Sequence, residues 1–108
     1  MAMKVKEILS RKEFEKAIAH GTTLVDFYAP WCAPCRVQEP IVKQLAKEFE
    51  GKASVLKLNV EKSREIAMSQ RIYSIPTLII FMNGKEILRY VGLQSEETLS
   101  NAIQKTLN

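Results

Sequence analysis

Little in this sequence could staple or metallate a small protein: it has two cysteines, one histidine and one tryptophan in 108 residues. A disulfide scaffold needs more cysteine, and a chain of this length can bury a core without one. The longest apolar stretch, residues 78–82, is far too short to span a bilayer. Charge of one sign is not concentrated anywhere. The sixteen Lys and Arg are scattered from Lys4 to Lys105, and the net charge is only +4. A solvated surface explains them, so neither nucleic acid nor a membrane is expected as a partner. Residues 1–7 lack the apolar segment of a signal peptide, which makes a cytoplasmic protein the expectation. No repeat, low-complexity tract or linker interrupts the chain, and 1–108 reads as one domain.

What is present is a regular alternation of strands and helices. Residues 5–9 alternate weakly and read as a short strand. Ser10 and Glu13 form a capping box, and Phe14, Ala17 and Ile18 follow at helical spacing until His20-Gly21. Residues 22–29 are a β-rich apolar run broken only by Asp26, the pattern of a central buried strand. A helix is expected over 32–49. Its apolar stripe is Val37, Ile41, Leu45 with Val42, Ala46 and Phe49, and Pro40 lies inside it. A third strand over 53–60 and a short helix over 62–70 come next. Residues 77–82 and 85–91 flank Asn83-Gly84, a hairpin signal. Ser95 caps the last helix, with Glu96 and Glu97 in its first turn and Leu99, Ala102, Ile103 and Leu107 on its buried face. The order predicts an α/β fold: a mixed sheet, parallel with an antiparallel hairpin at its edge, and helices on both faces.

The chemistry concentrates in Trp31-Cys32-Ala33-Pro34-Cys35, just after a strand and at the start of a helix. Helix positions three apart share a face, with Cα atoms about 5 Å apart. That falls inside the window a disulfide needs. Cys32 sits at the helix N-terminus, where free N–H groups and the dipole favour a thiolate, the reactive form. Cys32 is therefore the expected nucleophile. Cys35, one turn deeper and expected to be more buried, would resolve a mixed disulfide by attacking Cys32. Two other readings stay open: a zinc site and two idle core cysteines. Zinc normally takes four ligands, or three plus water, and two Cys with one His fall short of four. No metal is expected.

Several segments together resemble the thioredoxin family. They are Phe27-Tyr28-Ala29-Pro30-Trp31-Cys32-Ala33-Pro34-Cys35, Lys57-Leu58-Asn59-Val60 and Ile75-Pro76-Thr77-Leu78, with Asp26, Pro40, Gly84 and Gly92 in the same pattern. The resemblance covers essentially the whole chain. It implies the thioredoxin fold, a central mixed five-stranded sheet flanked by four helices. It also implies protein-disulfide reductase activity through a Cys32–Cys35 redox pair, with no cofactor beyond that disulfide. Thioredoxin reductase and disulfide-containing proteins are the implied partners, and a monomer is expected. Asp26 takes the family's place of a buried proton acceptor for Cys35, and Lys57 that of a lysine modulating its charge. An acid amid Leu24, Val25 and Phe27 is costly without a role, the alternative being a strand-edge Asp facing solvent. For Lys57 a solvent-facing alternation explains the pattern equally well. Pro76 takes the place of a cis proline opposite the disulfide, leaving the backbone of Ile75 free to pair with an extended substrate. Trp31, Ala33, Pro34, Ile75, Val91 and Gly92 would form the apolar substrate-binding surface, with Gly92 a point of close backbone approach. Trp31 could instead be core packing. One departure from the family pattern matters: Ala33 stands where a glycine is usual, while Ser74 and Leu93 also differ from common choices beside the substrate surface.

An oxidant or isomerase on the same fold is the competing enzyme reading. Strong oxidants of this fold often carry a His between the cysteines, which stabilises the reduced form; Ala33-Pro34 cannot do that. A non-enzymatic clamp for a partner protein is the third reading, and a glutaredoxin the weakest, for want of a basic pocket for a glutathione carboxylate.

Overall fold

The computed structural model describes residues 5–108. Its elements are β1 (Lys6–Glu7), α1 (Arg11–Ile18), β2 (Thr22–Tyr28), α2 (Ala33–Glu48), β3 (Ser54–Asn59), α3 (Arg64–Ser69), β4 (Thr77–Met82), β5 (Lys85–Val91) and α4 (Glu96–Leu107). The five strands form one mixed sheet in the order β1-β3-β2-β4-β5. β3 runs parallel to both β1 and β2, whereas β4 runs antiparallel to β2 and β5.

Side chains alternate along β2 and so divide the interior in two. Leu24, with Leu78, Ile80 and Val55, packs under α2 and α4 through Val42, Leu45, Phe49, Leu99 and Ile103. Val25 and Phe27, with Leu58, Ile79 and Phe81, pack under α1 and α3 through Phe14, Ile66 and Ala67. Both faces of β2 are covered, which is why its sequence is a nearly continuous apolar run. Asp26 points to the α2 side, in the same alternating set as Leu24.

The local signals hold. Ser10 Oγ accepts the Glu13 N–H at 3.1 Å, and Ser95 Oγ accepts the Thr98 N–H at 3.1 Å. Asn83 and Gly84 take positive φ values of 50° and 87°, as a tight hairpin requires. Four details differ from expectation. β1 pairs over only two residues. α1 stops at Ile18, short of His20-Gly21. Leu107 is only partly buried against the α2–α4 core. The stripe of α2 is phased differently: Val37 is exposed, and the inward positions are Cys35, Gln38, Val42 and Leu45. Helical spacing places Gln38 with the buried set, but its polarity hides it from a search for apolar side chains.

Candidate active site

β2 leads through Ala29-Pro30-Trp31 into α2, so the strand end and the helix start deliver Cys32 and Cys35 together. The two are joined as a disulfide, with Cα atoms 5.2 Å apart. Cys32 is the N-cap of α2, and its Sγ accepts the Cys35 backbone N–H at 3.3 Å. One orphan donor of the helix start is thereby aimed at the sulfur on which negative charge would sit. The expected contrast in burial is not seen in this oxidised form: Cys32 is 5% exposed and Cys35 4%. The disulfide draws both sulfurs into one small cluster with Ala29, Tyr28, Val60 and Ile75.

Around Cys32 lie two chain segments. The Ile75–Pro76 peptide is cis, and the Ile75 carbonyl oxygen is 3.8 Å from Cys32 Sγ. Gly92 donates its N–H to the Pro76 carbonyl at 2.8 Å. Its φ is +95°, and a Cβ there would meet nothing within 4 Å. The backbone conformation by itself favours glycine here, and no other part of the chain crowds the position. Trp31 is 65% exposed and Val91 61%. Trp31 is therefore not core packing; its indole N–H donates to Glu61 at 2.9 Å. Ala33 and Pro34 are exposed beside it.

Behind Cys35 is a cavity of about 320 Å³ lined by Asp26, Lys57, Cys35, Glu39 and Tyr28 among others. Asp26 is 4% exposed and its Oδ1 has no hydrogen-bond partner. Burial disfavours the carboxylate; Lys57 opposes that and Glu39 adds to it, leaving the pKa raised from 3.8 to about 7. Lys57 is half-buried and stands level with Asp26 across the β2–β3 pairing, which places it at the cavity and not out in solvent. It is also level with Glu7 on β1, and its Nζ is 5.5 Å from the centre of the Tyr28 ring. Tyr28 donates its hydroxyl to Glu7 at 3.0 Å, and burial pushes the phenol pKa up. Sequence reasoning found Asp26 and Lys57 but missed Glu7 and Glu39. Each is one acid among many in the sequence, and only strand pairing and helix phase bring them here.

Among the described residues no group of three or more His, Cys, Asp or Glu could hold a metal ion, and no helix is long and apolar enough to cross a membrane. The chain thus presents a helix-start disulfide with a buried carboxylate of raised pKa behind it.

Comparison with known proteins agrees with that chemistry. The thioredoxin family model matches residues 5–105. Thioredoxin from Staphylococcus aureus is 40% identical over 95 residues, covering 88% of this chain and 91% of the relative. A mutant thioredoxin from Halobacterium salinarum superposes with a TM-score of 0.90 at 30% identity, covering 97% of this chain and 92% of that one. Thioredoxin from Plasmodium falciparum superposes with a TM-score of 0.85 at 29% identity, covering 94% and 98%. The chain belongs to the thioredoxin family, and it is a thiol–disulfide oxidoreductase that reduces protein disulfides through the Cys32–Cys35 pair.

Proposed function

We propose that Cys32 attacks the substrate disulfide, Cys35 resolves the intermediate, and Asp26 takes the proton from Cys35. The Cys32 thiolate bonds to one substrate sulfur and the other leaves as a thiolate. Cys35, losing its proton towards Asp26, then bonds to Cys32 Sγ and expels the second substrate sulfur. Two electrons pass to the substrate, and the protein ends in the disulfide form described above. One observation carries the assignment: the Cys35 N–H points at Cys32 Sγ, whereas Cys35 alone of the two cysteines borders the cavity that holds Asp26. A base works best with a pKa near the operating pH, and Asp26 at about 7 meets that condition. Lys57 tunes Asp26 by its charge.

In this reading Trp31, Ala33, Pro34, Ile75, Val91 and Gly92 form the surface on which an extended segment of the substrate lies, beside Pro76. The dithiol carries the electrons without a further cofactor, and a thioredoxin reductase restores it. Disulfide-containing proteins are the substrates. The protein serves electron transport and redox homeostasis in the cytoplasm as a single-domain monomer. A Cys35→Ser protein should accumulate a mixed disulfide with an oxidised protein substrate, and Cys32→Ser should form none. Trapping through Cys35 in the Cys32→Ser protein would reverse the two roles.

A further inference from the structure

Gln38 lies on the buried face of α2, one turn beyond Cys35, where a helix packed against a sheet normally carries an aliphatic side chain. It is fully buried, with Cys35 and Val42 on either side in the stripe. Both ends of its amide are paired with one residue far along the chain. Gln38 Nε2 donates to the Gln94 carbonyl at 3.1 Å, and the Gln94 N–H donates to Gln38 Oε1 at 2.8 Å. An apolar residue would fill the same space without needing partners. What the amide adds is directional: it fixes the main chain of residue 94 against the helix that carries the dithiol.

Residue 94 ends the short segment that follows β5. The Gln94 side chain reaches back to the Gly92 carbonyl at 3.4 Å, and Gly92 donates to Pro76. The Ile75 carbonyl next to Pro76 is the one beside Cys32 Sγ. Hydrogen bonds therefore connect α2, the segment at 92–94 and the segment at 75–76, and the Ile75 carbonyl of the last lies 3.8 Å from the sulfur. We propose that Gln38 is a positioning residue for substrate capture, which holds the Val91–Gly92 segment at a fixed place beside Cys32. The proposal rests on the reading of Ile75, Val91 and Gly92 as the substrate-facing surface. A segment ordered in advance does not have to be ordered by the incoming polypeptide, so the clamp acts on binding more than on sulfur chemistry.

The test is a steady-state comparison on two substrates: insulin, whose disulfides sit in a polypeptide, and dithiobis(nitrobenzoate), which offers little beyond its disulfide. Gln38→Met keeps the volume and removes both bonds. KM for insulin should rise about fivefold with kcat nearly unchanged, the loss expected from one well-made hydrogen bond. The rate with the small disulfide should stay within about twofold of the unsubstituted protein. An unchanged KM for insulin, or an equal fall with both substrates, overturns the proposal. Val91→Asp, at an exposed position, separates the two layers of inference. If it leaves KM for insulin unchanged, the substrate surface is misplaced and the proposal falls with it. If it raises KM while Gln38→Met does not, the clamp alone is wrong. A measurement on the unaltered protein needs no variant to fold. The Gln94 amide should exchange with deuterium about a hundredfold more slowly than in an unfolded peptide, and an unprotected amide overturns the clamp.

Discussion

Asp26 and Gln38 both occupy positions where a hydrophobic residue would pack, and the protein treats them in opposite ways. Gln38 is sealed in with both halves of its amide bonded to the main chain of residue 94. Asp26 is sealed in with Oδ1 unpaired beside a cavity, facing Lys57 across the sheet. A satisfied buried amide costs little and fixes geometry; an unsatisfied buried acid costs stability and binds a proton more tightly. The first kind of residue shapes a site and the second gives it a titrating group.

That contrast predicts different pH behaviour, beginning with the larger effect. Burial raises the pKa of Asp26 from an ordinary 3.8 to about 7 in the folded chain. Below pH 4 both the folded and the unfolded chain hold its proton. Between there and about pH 7 only the folded chain does, so stability falls as pH rises, and above pH 7 the loss is complete. The loss amounts to about 4 kcal/mol. Asp26→Ala should remove this dependence. Denaturant melts at pH 4 and pH 9 should show the variant gaining about 4 kcal/mol relative to the unsubstituted protein between the two pH values. A constant difference would mean that Asp26 is ionised throughout. The variant should also reduce insulin more slowly, at the step in which Cys35 attacks.

Gln38→Met should lower stability by about 1–3 kcal/mol, because it leaves the Gln94 N–H and carbonyl without their partners. The same melts check it, and the loss should be equal at pH 4 and pH 9, since nothing in the clamp titrates. A pH-dependent loss would join the two residues into one network and end the contrast. Lys57→Gln sharpens the Asp26 side alone. With the opposing charge gone, the Asp26 midpoint should move up by about one pH unit or less, read from the carboxyl carbon shift by NMR. Glu39→Gln should move it the other way by only a few tenths, because Glu39 is the more exposed neighbour.

The same pair shows what could be read in advance. Asp26 was legible because an acid interrupts the otherwise apolar run of β2, and β4 was legible because its run is unbroken. Cys32, Cys35 and their place at a helix start followed from spacing. Gln38 was not legible. A polar residue inside an apolar stripe looks like the solvent side, and Val37 drew the helix phase toward itself by one position. The partners were equally hidden: Gln94 lies 56 residues from Gln38, and Glu61 lies 30 from Trp31. Such contacts depend on which loops the fold brings together, and no local periodicity encodes them. The positive φ of Gly92 was equally hidden, since sequence shows a glycine but not the sign of its φ.

The cavity behind Cys35 has one more consequence. Its lining includes Asp26, Cys35, Glu39, Lys43 and Lys57, but not Trp31, Cys32, Ile75, Pro76 or Gly92. Of the two cysteines only Cys35 borders it, although both sulfurs sit in one cluster. In the proposed reading, a protein docked on Trp31, Ile75, Pro76 and Gly92 covers residues that do not line the cavity of Asp26. On the proposed roles, electron traffic and proton traffic pass through different groups of residues, and a bulky substrate can dock without lying on those that surround the titrating carboxylate.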